Sequence, residues 1–380
     1  MRDITQIMIQ GGGPVGLACA AWCLQKNPRL HLTLVDKNSL DDAALTEGDT
    51  RGIALSHGSK LLLNTIHAWP EDSRPIHQIH VSQAGRFGRA LMTREELNQE
   101  ALGHITRYHD IHLALRKALR KIANDSPHFQ WLNEAPEEIE SATCLVHAEG
   151  GLFKQQDWVE SGRDYHQSAL VGLVEVEKPS LNQAWERFTK EGPLALLPSH
   201  QGDRFLNLVW CSSPESAQTR LGMSDADFLT DLENTFGKRL GKFNQIQHRR
   251  VYELGLNYRK EITQGNEVWI GNSAQTLHPV AGQGLNLGLR DAYLLAEKLA
   301  RYFAIEKNSS RESLELVLKE YADTRTLDRR VTIGITDFLA RVFTSSLLPV
   351  QLARGFALSA LQWLPPVKSA LARQMMFGRR

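Results

Sequence analysis

Residues 7–36 read IMIQGGGPVGLACAAWCLQKNPRLHLTLVD, and this stretch decides the fold. Ile7-Met8-Ile9-Gln10 is a short apolar run with strand character. Leu17 to Gln25 follows as an Ala-rich helical run, and His31-Leu32-Thr33-Leu34-Val35-Asp36 reads as a second strand ending in an acid. Between the first strand and the helix stands Gly11-x-Gly13-x-x-Gly16. Gly11 permits a tight turn, Gly13 lets the backbone approach a pyrophosphate, and Gly16 allows close helix–strand packing. The helix N-terminus then offers N–H groups and a partial positive charge to phosphates. Asp36 lies 20 residues past Gly16, where a carboxylate can accept hydrogen bonds from ribose hydroxyls. The glycine pattern alone is a weak signal. With strand, helix and acid in place it is a βαβ dinucleotide site, at the N-terminal position usual for FAD, although the motif alone does not separate FAD from NAD.

Composition sets the frame around this unit. At about 150 residues per domain, 380 residues correspond to two or three domains. Hydrophobic residues at 42% and charged residues at 23% fit a globular chain and exclude intrinsic disorder. Forty-four Lys+Arg balance 43 Asp+Glu, so no basic field exists to hold nucleic acid. Cys19 and Cys23 share one face of the first helix and read as small core residues. No zinc-spaced Cys/His cluster, P-loop or nucleophile elbow occurs, and no metal is expected. Asp3 and the Gly11–Pro14 break argue against a signal peptide, and the uncharged 268–289 run carries four glycines and Pro279, unlike a membrane span. A cytoplasmic location follows as the expectation.

Along the chain, helices are expected at 58–68, 109–123, 224–236, 284–303 and 310–341. Strands are expected within 76–92 and at 144–148, 169–176, 184–189, 205–211, 249–256 and 267–271. The β-rich middle lies between two α/β segments. The fold class is therefore α/β: a Rossmann-like nucleotide domain from 1–75, 100–155 and 257–330, with an inserted β-sheet substrate domain from 76–99 and 156–256 and a C-terminal helical region at 331–380. Beyond Val331 there are six Lys/Arg and one acid, Asp337, among many Leu, Ala and Phe, with Trp363 before Pro365-Pro366. This tail reads as helices packed on the body, or as a basic amphipathic surface that touches an anionic membrane or a partner protein.

A second block runs from Gly271 to Asp291: GNSAQTLHPVAGQGLNLGLRD. It passes from a strand through a Gly/Pro loop into a helix. Its wording, GN-x-AQTLHP-x-AGQG-x-NLG-x-RD, resembles the second FAD motif of the class A FAD-dependent aromatic hydroxylases, in their ubiquinone-biosynthesis branch. Arg51-Gly52-Ile53-Ala54-Leu55-Ser56 is similar to the family's R-x-x-A-L-S segment. His80-Val81-Ser82 with Gly85-x-Phe87-Gly88, and Arg187-Phe188-Thr189 with Gly192 to Pro198, resemble its substrate-domain segments. Thr332 to Asp337 matches its C-terminal helix. The resemblance covers nearly the whole chain.

It implies a glutathione-reductase-like and p-hydroxybenzoate-hydroxylase-like fold that binds FAD, with NAD(P)H as a transient co-substrate. Gly11, Gly13, Pro14, Gly16 and Asp36 would hold the ADP half. Asn272, Pro279, Gly282, Gln283, Gly284, Leu285 and Asn286 would lie along the ribityl chain and ring, with Arg51 near the flavin. The implied reaction reduces FAD with NAD(P)H and hydroxylates a prenylated phenol with O₂ through a flavin C4a-hydroperoxide. His278, in the flavin loop, is the named side chain for proton transfer, ahead of His80 and Tyr252, although a backbone role in the His278-Pro279 turn is the preferred reading of it. The implied partners are the substrate, O₂, and an inner membrane or ubiquinone-biosynthesis complex met through the C-terminal region. The sequence departs from the family at Ala148-Glu149-Gly150-Gly151-Leu152-Phe153, where the pattern is A-D-G-x-x-S, and a hairpin usual before it is not found. Glu149 and Gly150 remain the cofactor-binding candidates there. A flavin-poor scaffold subunit and a hydroxylase of a small soluble aromatic stay open as alternatives.

Overall fold

The computed structural model describes residues 6–37, 49–85, 87–137, 143–150, 161–305, 311–344, 355–356 and 363–378. The chain opens with β1 (Ile7–Gln10), α1 (Pro14–Lys26) and β2 (Leu32–Val35). Next come β3 (Gly52–Ser56), α2 (His57–Asn64), β4 (Arg74–Ile76), β5 (Gln78–Gln83), β6 (Arg89–Thr93) and β7 (Gly103–Arg107). Helix α3 (Tyr108–Ala123), β8 (Phe129–Leu132) and β9 (Cys144–His147) follow. The middle holds β10 (Ser161–Val176), β11 (Gln183–Phe188), β12 (Pro193–Ser199), β13 (Gly202–Ser212), α4 (Pro214–Gly222), α5 (Asp225–Phe236) and β14 (Phe243–Tyr258). The last elements are β15 (Thr263–Gln264), β16 (Glu267–Trp269), β17 (Gln275–Thr276), α6 (Gly284–Ile305), α7 (Arg311–Thr344) and α8 (Pro365–Phe377).

These elements form an α/β protein with three sheets. The first has the order β15-β16-β9-β1-β2-β8 and is parallel except for the β15–β16 hairpin. The second has eight strands, β17-β14-β10-β13-β12-β11-β5-β6, and is mostly antiparallel. The parallel β5–β11 pair ties residues 78–83 into the central segment. A small β3-β7-β4 sheet stands apart from both.

Two cores account for these layers. Every residue of α1 from Gly16 to Leu24 is buried, so the helix is apolar all round rather than amphipathic, as befits one enclosed on every side. It shares a core with the parallel sheet, α3 and α6. Trp22 lies edge-on to Tyr293 at 5.3 Å and donates from Nε1 to Thr65 Oγ1 at 3.0 Å. The four cysteines are buried and unbridged. The second core packs α5 on one face of the large sheet, with Phe228 and Phe236 against Trp210 and Trp185. The other face of that sheet borders a cavity.

Several expected elements shift. The helix expected at 58–68 begins at His57, because Ser56 caps it by accepting from the Ser59 N–H at 3.2 Å, and it ends at Asn64. Helix α4, with Pro214 in its first turn and Ser213 as cap, and strand β7 were not anticipated. Phe129–Leu132 is a strand parallel to β2 at the sheet edge. The rest of the stretch where the hairpin was sought, 138–142, lies outside the described residues, as do Gly151, Leu152 and Phe153.

Helices α6 and α7 are joined by a buried charge network. Arg325 pairs with Asp291 at 2.7 Å and Asp328 at 2.8 Å, and Arg290 pairs with Asp328 at 2.9 Å. Arg329 and Asp291 both hold Gln275 of β17, at 2.7 and 2.6 Å. The network thus fixes the strand that leads into the Gly/Pro loop. Removing one partner of a buried pair strands the other charge. Asp328→Ala is expected to destabilise the fold by about 3–5 kcal/mol, measured by urea unfolding.

Candidate active site

The N-terminal glycines meet three different demands. Gly11 has φ +107°, and a Cβ there would stand 2.7 Å from the backbone of Ala148 and Glu149. A Cβ at Gly16 would fall 1.9 Å from the Gly11 carbonyl oxygen. Gly13 differs, because its Cβ would meet only the Tyr108 hydroxyl, at 3.9 Å. The structure therefore leaves open space at the one glycine expected beside a pyrophosphate. Gly13 caps α1 without a side-chain hydrogen bond, and no acid occupies the first turn. The positive end of the helix is left to an anion. Asp36 follows β2 and accepts the Gly12 N–H on Oδ2 at 2.7 Å.

The late block reaches the same helix end. A Cβ on Gly271 would lie 3.1 Å from Val15, and one on Gly288 would lie 2.8 Å from Val15 Cγ2. Asn272 borders the cavity beside Gly13, Pro14 and Val15. A short helical turn at Val280–Gly282 then leads into α6. Gly282 has φ +59° and packs so tightly on Ala54 that a Cβ would meet it at 2.9 Å, whereas a Cβ on Gly284 would meet nothing within 4 Å. Pro279, Gly282, Gln283, Gly284, Leu285 and Asn286 all border the cavity.

Three polar side chains fix this loop. Asn286 is buried and donates from Nδ2 to the Ala54 and Gly282 carbonyls at 2.9 and 2.7 Å. Its Oδ1 accepts from the Ser56 N–H at 2.8 Å and the Ser59 hydroxyl at 2.7 Å. The amide thus clamps the loop to β3. Gln283 donates to the Met375 carbonyl at 3.2 Å and so attaches α8. His278 accepts the Val280 N–H on Nδ1 at 3.1 Å, so Nε2 carries the proton toward Gln167 Oε1 at 3.0 Å. Burial pushes this imidazole down to about 4, so it is neutral at pH 7. With both nitrogens engaged inside the protein, His278 holds the turn, and the proton-transfer role named for it from the sequence has no geometric basis here.

Arg51 borders the cavity and lies 4.5 Å from the Tyr252 ring centroid and 5.5 Å from that of Tyr108. Its Nε donates to both oxygens of Asp49, at 2.8 and 2.6 Å. Ala148 and Gly150 border the cavity. The Glu149 side chain, 59% exposed, instead lies 3.6 Å from His147 Nδ1, while His147 Nε2 meets Glu267 at 2.7 Å. Burial pushes the His147 imidazole down, but the two carboxylates outweigh it and hold its pKa above the usual value.

The cavity measures about 1280 Å³ and runs from the α1 N-terminus past the 279–286 loop to the large sheet, α7 and α8. Its walls are mainly aliphatic, with Ile79, Val81, Met92, Leu197, Leu339 and Met376 among them. Glu186, a wall residue on β11, was missed from the sequence. Its signal was an acid in phase with Ala184 and Phe188 on a strand whose neighbours are apolar. Gln167, the partner of His278, gave no local signal.

The residues present fit FAD. An uncapped helix N-terminus with space at Gly13, a carboxylate after β2, and a glycine-bearing loop beside a cavity of about 1280 Å³ match its anionic, ribose and planar parts. This site defines a flavoprotein. Residues 161–325 match the family described as FAD binding domain. The uncharacterized protein slr1300 of Synechocystis is 30% identical, covering 98% of this chain and 94% of its own length. Ubiquinone hydroxylase UbiL of Rhodospirillum rubrum is 28% identical, covering 98% and 90%. Among solved structures, p-nitrophenol 4-monooxygenase PnpA of Pseudomonas putida shares the fold, with a TM-score of 0.71, 17% identity and 99% of each chain covered. The chain belongs to the class A FAD-dependent aromatic hydroxylases, in the branch that contains the ubiquinone hydroxylases. It is an FAD-dependent aromatic monooxygenase.

Two glycine substitutions separate binding from folding. Gly13→Ala has room in the protein, so it is expected to melt like the wild type. It crowds the pyrophosphate, so FAD affinity falls at least about tenfold, the worth of one charge-assisted hydrogen bond. Gly16→Ala is expected to lower the melting temperature itself. Calorimetry of the apoprotein with fluorescence titration of FAD checks both.

Proposed function

We propose that this chain hydroxylates a prenylated phenol in ubiquinone biosynthesis, with NAD(P)H and O₂ as co-substrates. The carrying observation is the aliphatic cavity continuous with the 279–286 loop. FAD, when bound, supplies the oxygen activation that amino-acid side chains lack. In this reading Gly13, Pro14 and the α1 N-terminus hold the pyrophosphate, and Asp36 holds the adenosine ribose. Asn272 and Gly150 lie along the ribityl chain, and the backbone of Gly282, Gly284 and Leu285 meets the ring. Glu149, turned toward His147, leaves the crevice unobstructed, so the departure from the family's Asp is compatible with a bound flavin.

The sheet and the last two helices shape the rest. Val81, Val171 and Val209 form an aliphatic wall on which an aromatic ring can lie, and Phe338, Leu339 and Met375 from α7 and α8 border the same space, apolar surface of the kind that shields a reacting ring from water. An isoprenoid tail gains about 0.8 kcal/mol per CH₂ buried in such a space. Trp363, Leu364 and Val367, at 83%, 51% and 54% exposure, project from the start of α8. This apolar edge supports peripheral contact with a membrane that holds the substrate. No helix of the described residues is long and apolar enough to cross one.

The test is turnover of the FAD-loaded protein with NAD(P)H, labelled O₂ and phenols carrying tails of graded length. The product is expected to gain one labelled oxygen, with kcat/KM falling more than about tenfold per isoprene unit removed. Equal kcat/KM with and without a tail would instead mark a hydroxylase of small soluble aromatics. Separately, Trp363→Ser with Val367→Ser is expected to reduce co-sedimentation with anionic phospholipid vesicles while leaving the melting temperature unchanged.

A further inference from the structure

The large sheet presents several rows of side chains to the cavity. Strand register places Val81 of β5, Glu186 of β11, Ala195 of β12, Val209 of β13 and Val171 of β10 side by side, and all five border the cavity. Glu186 interrupts an otherwise aliphatic row. Val81, its neighbour across the pair, packs in one cluster with Phe188 and with Val280 of the flavin loop. Glu186 lies two residues from Phe188 and directly across from Val81, both of which belong to the cluster that includes Val280 of that loop.

Its Oε1 is buried and has no hydrogen-bond partner. Two ionisable groups that flank this part of the cavity have other partners. Tyr165 donates to Asp337 at 2.9 Å, and Lys368 of α8 pairs with Glu96 at 2.6 Å. Arg250 sits beyond Val171 at the far end of the row. The Cys211 thiol on β13 is pushed up by burial and by Glu186 itself, so it stays protonated. An unpaired carboxyl in an apolar wall adds nothing to the stability of the fold, and a leucine or methionine would fill the space without its desolvation cost.

We propose that Glu186 is the catalytic base that takes the hydroxyl proton of the phenolic substrate. The phenol O–H bond breaks, its electron pair stays on the ring oxygen, and a new O–H bond forms on the Glu186 carboxyl. The phenolate is the more electron-rich ring and the better target for an electrophilic oxygen. The proton returns to the phenolate of the product, so the step consumes no oxidant or reductant. Burial raises the Glu186 carboxyl to about 7, which matches a base that works at neutral pH. The proposal rests on the reading of the substrate as a phenol.

The FAD-loaded wild type and Glu186→Gln are compared with two probes, 2-prenylphenol and its more acidic nitro derivative. Binding is read from perturbation of the flavin absorbance, and kcat from hydroxylated product. Wild-type kcat with 2-prenylphenol is expected to rise with pH through an inflection near 7. In E186Q that inflection disappears and kcat falls about 100-fold, with the probe's Kd little changed. With the nitrophenol, already ionised in solution, the loss shrinks to near unity. An equal loss with both probes, or an inflection kept in E186Q, overturns the role of Glu186 alone. Failure of either phenol to bind the wild type overturns the phenol reading and this proposal with it. Melting curves give a readout independent of turnover. The folded chain holds the Glu186 proton that the unfolded chain releases, so wild-type stability declines as pH rises from 4.5 through 7. E186Q is expected to gain melting temperature over wild type across that range, and a gap that ignores pH would contradict the burial on which the proposal depends.

Discussion

The whole site depends on one contact between bare backbones. The N-terminus of α1 lies so close to its neighbours that side chains are excluded at Gly11, Gly16, Gly271 and Gly288. Val15 fills the space between the late loop and α6, and the Gly11 carbonyl occupies the place where a Gly16 side chain would be. This packing joins two sequence motifs from opposite ends of the chain. It also turns the partial positive charge of the helix toward the cavity that the late loop borders.

Around that contact a few buried polar groups hold the geometry. Asn286 gives both its amide hydrogens and its oxygen to the join between loop and strand β3. His278 and Gln167 tie the same loop to the large sheet. The Asp291, Arg325 and Asp328 network does so through β17. Each is buried, so each is costly to break and holds one geometry. Glu186 is the contrast, with a buried carboxyl oxygen that no protein group satisfies.

The parts of the molecule that local pattern controls were legible in the sequence. The βαβ start showed because strand, glycines, helix and acid fall within thirty residues. The helix opening at Asp225 showed through Ser224, whose hydroxyl caps it by accepting the Asp227 N–H at 3.2 Å. The late block was legible through its resemblance to a family rather than through periodicity. What stayed hidden depends on distant partners. Nothing near His278 announces Gln167, and nothing near Asn286 announces Ser56 and Ser59. The exposure of Glu186 to an apolar cavity appears only once β5, β12 and β13 are laid beside β11. The direction of Glu149, away from the crevice and toward His147, likewise depends on Glu267 and Trp269 arriving on β16.

The proposed function requires FAD to bridge the α1 N-terminus and the 279–286 loop, with its ring at the aliphatic cavity. A crystal structure of the protein grown with FAD tests this most directly. The account predicts ribose density at Asp36, pyrophosphate density against Gly13, and ring density beside Gly282 and Gly284 within reach of the β11 wall. Flavin density elsewhere, or a crevice between α1 and the loop closed by the protein's own side chains, would contradict it.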